Sequence, residues 1–342
     1  MDESVPFFDA HSDYLSRVLN ERATGRSEVM ATDLLPDMAA GGIEHRVLAI
    51  FVEDEFLPEQ ALHRAMNIAV AFHRELDETP EMAAVTATAD DMWATDRDVR
   101  TVILGMEGAE PLLGDLSVLD AFYRLGLRIL TLTHSRRNAA ADGAFYEPRR
   151  SGTAGGITDF GVALIERLDE LGIVLDVSHL NRTGFWDVVE ICEWPFVASH
   201  SNCAALYDHP RNLTDDQLRA VADADGVVGM VPLAEFLGDG AIDFDRLLDH
   251  VEHAIDIAGR RHVGFGFDFN EYLIPYRSGW DPDDPPFSLV AEIDGDADVH
   301  RIATALMDRG YSRETVEMLA ADNFKRVFEE TLPPAGSAPA GR

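Results

Sequence analysis

The chain of 342 residues contains a single lysine, Lys325, and only two cysteines, Cys192 and Cys203. With 28 basic residues against 62 acidic ones, its formal net charge is −34, which argues against nucleic acid or an anionic membrane surface as a partner. Two cysteines do not make a disulfide framework. The apolar runs are strand-sized, far short of the roughly 20 residues that a membrane helix needs. These absences predict a globular protein without a membrane span.

The first residues, Met1–Ser4, lack the basic region and apolar stretch of a secretory signal, so we expect a cytoplasmic location. The acidic residues are scattered along the chain and form no long run. Scattered charge is typical of a strongly solvated surface, and we hypothesise that the source is an extreme halophile.

Short apolar runs alternate with helical patterns along the chain. The runs predict eight β-strands: Val5–Phe8, Arg46–Phe51, Thr101–Met106, Arg128–Thr133, Ile173–Val177, Phe196–Ser199, Val227–Pro232 and Val263–Phe267. The helical patterns predict helices over Ala61–Leu76, Asp159–Leu171, Asp243–Ala258 and Val299–Arg309, and another that opens with a capping box at Thr214. Gly172 and Gly226 stand just beyond helices, where a C′ glycine belongs.

Eight strands that alternate with helices predict an α/β fold, a (β/α)₈ barrel of the TIM type, followed by an extra C-terminal helix. Two Rossmann-like halves are the alternative, but no G-x-G-x-x-G run follows a strand and opens a helix. We therefore predict a single catalytic domain over residues 1–331. Residues 332–342 are rich in proline, alanine and glycine and are predicted to be a disordered tail.

Titratable side chains follow six of the eight predicted strands. They are His11 and Asp13 after the first strand, Glu107 after the third, His134 after the fourth, His179 after the fifth, His200 after the sixth and Asp268 after the eighth. A single histidine at a strand end is more often a buried polar core residue than a ligand. Here, however, that explanation would require coincidence at six separate strand ends. In a barrel these ends converge on one face, where barrel enzymes keep their active sites. The remaining helical histidines, such as His63, His73, His250 and His253, are interpreted as solvated surface.

Histidine nitrogens and carboxylate oxygens suit Zn²⁺ or a similar divalent ion. Three histidines and two carboxylates exceed one tetrahedral site, whereas two ions that share a bridging carboxylate use all five. Such ions, roughly 3.5–4 Å apart, can bind a bridging hydroxide and polarise a carbonyl. The expected chemistry is hydrolysis of an amide, ester or similar bond.

The motifs resemble those of the membrane (renal) dipeptidases, peptidase family M19, within the amidohydrolase-like barrels. The most specific segment is Gly156–Leu218, where Gly-Ile-Thr-Asp-Phe-Gly precedes Leu-Gly-Ile-Val-Leu-Asp-Val-Ser-His, followed by Pro195–Asn202 and His209–Leu213. Gly310–Ser312 and Asp322–Phe328 look like the family's closing segment. The resemblance extends from about Phe7 to about Phe328. It implies a metal-dependent hydrolase barrel with two Zn²⁺ or similar ions.

The resemblance also implies a role for each site residue. His11 and Asp13 would hold one ion, His179 and His200 the other, and Glu107 would bridge them. His134 would contact the substrate and the oxyanion of the tetrahedral intermediate. Arg211 would bind the substrate's terminal carboxylate, and Asp268 would manage protons at the bridging water. The competing interpretations are a surface salt bridge for Arg211 and a purely structural role for Asp268.

The first hypothesis for function is therefore a binuclear zinc dipeptidase that hydrolyses small dipeptides, including ones with a C-terminal D-residue. One alternative is an amidohydrolase for a lactone, cyclic amide or N-acyl compound, and a substrate without a free carboxylate would not need Arg211. Another is a catalytically silent metal-binding barrel. The loops depart from the family pattern at Ser12, at Ser135–Asp142 and at Asn270-Glu271, which leaves side-chain preference open. Family members are often dimers, so a homodimer is expected by resemblance alone.

Overall fold

The computed structural model describes residues 4–93, 99–145, 152–276 and 287–336, and its centre is a closed barrel of parallel strands. The strands are β1 (Phe7–Asp9), β2 (Ile43–Phe51), β3 (Ala83–Val85), β4 (Arg100–Glu107), β5 (Leu127–Thr131), β6 (Val174–Asp176), β7 (Val197–Ala198), β8 (Val227–Met230) and β9 (Val263–Phe265). Around the barrel the order is β1-β2-β4-β5-β6-β7-β8-β9, and β9 pairs with β1 to close it. The predicted (β/α)₈ barrel is confirmed.

Each of the eight predicted strands overlaps one barrel strand. The additional strand β3 pairs with the first residues of β4 and is not part of the closed ring. It lies outside every predicted strand because its three residues, of which Ala84 is exposed, form no buried apolar run.

The helices surround the strands. They are α1 (Tyr14–Ala23), α2 (Leu35–Gly41), α3 (Ala61–Glu78), α4 (Leu116–Arg124), α5 (Asp159–Leu171), α6 (Arg182–Ile191), α7 (Asp215–Asp223), α8 (Phe244–Ala258), α9 (His300–Asp308), α10 (Arg313–Glu317) and α11 (Asn323–Thr331). The capping box at Thr214 is present, because its side chain accepts from the Gln217 amide and the Gln217 side chain accepts from the Thr214 amide. No helix within the described ranges is long and apolar enough to cross a membrane.

The glycine after α5 behaves as predicted and the one after α7 does not. Gly172 has φ 67°, the left-handed conformation that ends a helix. After α7 that conformation falls on Asp225, with φ 54°, so the prediction for Gly226 is wrong. Gly226 is needed for a different reason: a Cβ there would lie 2.0 Å from the carbonyl oxygen of Phe196.

The C-terminal helix α11 fills the end of the barrel from which the strands start. Its Phe324 stacks on Phe8 of β1 at 5.5 Å between ring centroids, and its Phe328 packs against the same ring in a tilted arrangement at 5.1 Å. The same buried cluster contains one apolar side chain from each of six further strands: Val47, Ile103, Ile129, Val174, Val197 and Val227. Because this end is packed with apolar side chains, polar groups are left to the opposite end.

His250 corrects the interpretation of the helical histidines. It lies on α8 but is fully buried. Its Nδ1 accepts from the Cys203 amide at 3.1 Å, and its Nε2 lies 3.2 Å from the Leu237 carbonyl. The helical pattern alone indicates a surface position, because these two loop partners are distant in sequence. Residues 337–342 of the expected tail lie outside the described residues, and the domain limits stay a prediction.

Candidate active site

All of the predicted site residues lie at the carboxyl ends of the barrel strands. Glu107 is the last residue of β4, and the others lie on the loops that follow β1, β5, β6, β7 and β9. His11, Asp13, Glu107, His179, His200 and Arg211 are buried, and His134 and Asp268 are partly exposed. The structure therefore brings residues separated by more than 250 positions into one cluster.

Glu107 is at the centre of this cluster. Its Oε1 lies 3.0 Å from Nε2 of His179 and 3.5 Å from Nε2 of both His11 and His200. Nε2 of His179 and Nε2 of His200 are themselves 3.0 Å apart. Three imidazole nitrogens from three different loops thus face one carboxylate oxygen.

His11 also faces two further carboxylates. Its Nε2 lies 3.8 Å from Oδ1 of Asp13 and 3.8 Å from Oδ1 of Asp268. Three sets have ligand atoms within 4.8 Å of one another: His11 with Asp13 and Asp268, His11 with Glu107 and His200, and Glu107 with His134 and His179. His134 and Asp268 therefore lie as near to the cluster as the five residues expected to be ligands.

Burial decides the charge state of the histidines. It lowers the pKa of His11, His179 and His200, and it lowers the pKa of His134 to about 3. Neutral imidazoles keep a lone pair for a metal ion. Burial opposes ionisation of Glu107 as well, but the adjacent His11 and His179 hold its pKa well below the ordinary value. The site thus offers neutral nitrogens and an anionic oxygen.

These residues fit a divalent metal ion. Nε2 of His11 is buried and has no hydrogen-bond partner among the described residues, although buried polar nitrogens are normally satisfied. The close approach of Nε2 of His179 to Nε2 of His200 is likewise best satisfied by a cation between the lone pairs and the Glu107 carboxylate. Imidazole and carboxylate are the donor set of zinc-type hydrolase centres.

Two site residues have strained backbone. His179 has φ 63° and Asp268 has φ 49°, values in the left-handed region that side chains other than glycine rarely adopt. Residues held in this region cluster at active sites because surrounding contacts enforce the conformation. Each of the two lies three residues beyond the end of its strand, His179 after β6 and Asp268 after β9.

Arg211 reaches the site from the loop between β7 and α7. It is buried, its Nη2 donates to the His200 carbonyl at 2.9 Å, and its guanidinium lies 5.6 Å from the ring centre of Phe236. This placement differs from the exposed ion pair that was the competing interpretation, because the guanidinium is packed beside the histidines.

Two buried aspartates hold the loops of the cluster and were not singled out by sequence reasoning. Oδ1 of Asp9 accepts from the amides of His11 and Phe267, at 3.3 and 2.8 Å, so it joins the loops after β1 and β9. Oδ1 of Asp176 accepts from the amides of Ser178 and Ser199, both at 2.9 Å, and joins the loops after β6 and β7. The available signal was an aspartate at the end of a strand, two or three residues before a candidate histidine.

A (β/α)₈ barrel whose strand ends assemble buried histidines around a carboxylate defines a metal-dependent hydrolase. The model of the membrane dipeptidase family, peptidase family M19, matches residues 1–335. The chain therefore belongs to this family. Membership confirms the resemblance and the class of metallo-dipeptidase that it implied.

Individual relatives agree with this assignment. The chain is 32% identical over 251 residues to an uncharacterized protein in the pqqA 5′ region of Klebsiella pneumoniae, covering 71% of this chain and 86% of the relative. It is 27% identical over 276 residues to the dipeptidase verJ of Clonostachys rogersoniana, covering 79% and 66%. A metallo peptidase from Rhodobacter sphaeroides, solved with a phosphinate mimic of L-Ala-D-Ala, has TM-score 0.85 and 28% identity, covering 96% of this chain and all of that one.

Proposed function

We propose that this protein is a binuclear zinc dipeptidase that hydrolyses small dipeptides, including those with a C-terminal D-residue. The observation that carries the proposal is the position of Glu107, whose Oε1 lies within 3.5 Å of three imidazole nitrogens. A single carboxylate shared by histidines from separate loops is the arrangement that a bridging ligand requires. His11 and Asp13 would hold one ion, and His179 and His200 would hold the other.

When bound, two such ions supply Lewis acidity and an activated water at neutral pH. The protein's own groups do the remaining work. Asp268, with Oδ1 3.8 Å from the His11 Nε2, stands where it can accept a proton from the attacking water. His134 lies against His179, with ring centroids 4.3 Å apart, and its imidazole is proposed to donate to the oxygen that becomes negative as the carbonyl is attacked.

Arg211 is proposed to orient the substrate through its terminal carboxylate. A guanidinium offers two parallel N–H groups to a carboxylate, and burial strengthens such a pair. The Rhodobacter sphaeroides relative was solved with a mimic of L-Ala-D-Ala, which supports a free C-terminal carboxylate and a D-residue in the substrate. A lactone or a cyclic amide has no free carboxylate, so such a substrate would make no use of this guanidinium.

The cytoplasmic location and the homodimeric state are also part of the proposal. Both cysteines are free, in keeping with a reducing compartment. Light scattering in molar salt measures the mass of the assembly and tests the dimer.

The function is tested by assaying hydrolysis of L-Ala-L-Ala, L-Ala-D-Ala, N-acetyl-alanine and a γ-lactone in molar salt with added zinc. We expect turnover of the dipeptides, its loss after treatment with a chelator, and its return with zinc. Turnover of the lactone or the N-acyl compound alone would reassign the substrate. Absence of turnover with all four substrates would favour the catalytically silent barrel.

A further inference from the structure

Asp176 is the end point of a buried hydrogen-bond chain that leads to His200. Its Oδ2 accepts from Oγ1 of Thr131 at 2.7 Å and from Oγ of Ser199 at 2.5 Å. Oγ of Ser199 lies 2.7 Å from Nδ1 of His200 and 3.3 Å from Oγ of Ser178. Asp176, Ser199 and His200 are all fully buried, so no water competes for these bonds.

We propose that Asp176 and Ser199 are positioning residues that hold His200 in one tautomer, with its proton on Nδ1 and its Nε2 lone pair free for a metal ion. The inference rests on the proposed function in one respect only: Nε2 of His200 is taken to be a ligand. Neither residue touches the substrate or the metal ions, and each acts through the imidazole.

The direction of every proton in the chain follows from the carboxylate. An ionised aspartate only accepts, so Ser199 must donate its one hydroxyl proton to Asp176. The Ser199 oxygen is then an acceptor toward Nδ1 of His200, which must carry a proton. Ser178 fits the same direction, because its Oγ already accepts from the His200 amide at 3.1 Å and can give its proton to Ser199. Each hydroxyl proton is used once, each oxygen accepts at most two hydrogen bonds, and the 2.5 Å contact of Ser199 with Asp176 needs the Ser199 proton between the two oxygens.

His179, the other histidine proposed to hold the same ion as His200, has no comparable hydrogen bond at its Nδ1 among the described residues. Nδ1 of His179 is buried and has no hydrogen-bond partner among the residues that the structure describes. No group on that side of the ring therefore holds a proton on Nδ1, because the contacts of this imidazole with Glu107 and His200 are both made at Nε2. The lone-pair geometry at this half of the site depends on the chain from Asp176 to His200.

Asp176 also differs from the other loop-joining aspartate in charge balance. Oδ2 of Asp9 lies 2.7 Å from Nε of Arg46, a fully buried ion pair. Within the described ranges Asp176 makes no ion pair, and only amide and hydroxyl donors contact its carboxylate. Its negative charge is thus available to attract cations at the adjacent histidines, which adds to the affinity of the site.

Replacement of Asp176 by asparagine should reverse the chain. The carboxylate accepts from two backbone amides at Oδ1 and from two hydroxyls at Oδ2, whereas a carboxamide accepts at one end and donates at the other. Backbone amides cannot reverse but hydroxyls can, so the NH₂ group of the introduced carboxamide should face Ser199. Ser199 would then donate to Nδ1 of His200 and move the imidazole proton to Nε2, the nitrogen that a metal ion needs.

The test is a long-range ¹H–¹⁵N spectrum of histidine-labelled, metal-free protein, with His200 assigned from a His200→Gln sample. We expect the Nδ1–H tautomer in the parent and in Ser199→Thr, and the Nε2–H tautomer in Asp176→Asn. Competition with a chelator should show that the zinc ion held by His179 and His200 binds roughly 10- to 100-fold more weakly in Asp176→Asn and Ser199→Ala than in the parent. In Ser199→Thr, which keeps the hydroxyl, the zinc affinity should equal that of the parent.

The control is Glu75→Gln: Glu75 lies on α3, is equally buried, accepts from the Met30 amide at 2.8 Å and pairs with Arg22, and among the described residues it makes no hydrogen bond or ion pair with the cluster. It should lose stability without a change in tautomer or zinc affinity. An unchanged tautomer in a folded Asp176→Asn protein would overturn the inference, and so would zinc affinity equal to the parent's. The tautomer is measured without metal or substrate, so the result tests this inference independently of whether the protein is a dipeptidase.

Discussion

Replacement of Arg211 by alanine should weaken recognition of the substrate's terminal carboxylate. The side chain is buried, so a carboxylate that binds it is withdrawn from water together with it. Charge-assisted hydrogen bonds of this kind contribute about 1.5–3 kcal/mol. With about 1.4 kcal/mol for each factor of ten, the expected increase in KM is roughly 10- to 150-fold.

The substitution also removes a contact inside the protein, because Nη2 of Arg211 donates to the His200 carbonyl at 2.9 Å. That loss should lower kcat for every substrate. The assay therefore compares a dipeptide with the corresponding dipeptide amide, which has the same peptide bond and no terminal carboxylate. The ratio of the two effects isolates the carboxylate contact, as in a double-mutant cycle.

We expect KM to rise for the dipeptide by the factor above and to change little for the amide. Arg182→Ala is the control, because Arg182 is exposed, pairs with the exposed Asp208 at 2.9 Å and should leave both substrates unaffected. An equal loss on dipeptide and amide would refute the carboxylate role and leave Arg211 as a structural support of the His200 loop.

Three further predictions concern stability. Burial lowers the pKa of His250 to about 4, so the unfolded chain takes up this proton before the folded protein does as the pH falls. In urea unfolding of metal-free protein, His250→Asn should have a lower free energy of unfolding than the parent at pH 7, and this difference should shrink by roughly 3 kcal/mol near pH 4. A difference that stays constant with pH would contradict the prediction. Phe324→Ala should cost about 3–5 kcal/mol in the same assay, because the ring stacks on Phe8 inside the barrel, and a cost below about 1 kcal/mol would show that α11 does not fill the barrel. Because salt screens the repulsion within a chain of net charge −34, the melting temperature should rise between low and molar salt. A melting temperature that does not rise would contradict the halophile hypothesis.

The barrel could be predicted because buried parallel strands are continuous apolar runs, such as Val227–Met230 and Val263–Phe265. Helix α5 is predictable to the residue because Thr158 caps its start and Gly172 ends it. Strand β3 has no such pattern, since its middle residue Ala84 is exposed. The turn after α7 departs from expectation because Asp225, and not the glycine that follows, adopts the left-handed conformation.

The candidate site could be located because barrel geometry gathers strand ends, and every candidate except Arg211 lies within a few residues of a predicted strand end; Arg211 was assigned through the family resemblance alone. The sequence does not show which side chains of different loops contact each other. Ser199 is the neighbour of Asp176 only because β7 pairs with β6, and Cys203 meets His250 only because α8 packs behind that loop. Such contacts depend on three-dimensional packing, so the outer hydrogen bonds and the burial of His250 came only from the structure.

The central claim is that Glu107 bridges two metal ions held by the five expected ligands. The most direct measurement is the metal content per chain of the protein reconstituted with zinc, compared with Glu107→Gln and with Glu75→Gln as the matched buried control. Two ions per chain in the parent and in Glu75→Gln, with one or none and no dipeptide turnover in Glu107→Gln, is the predicted result. A parent that binds one ion or none, or a Glu107→Gln protein that retains two ions and a near-normal rate, would contradict the account.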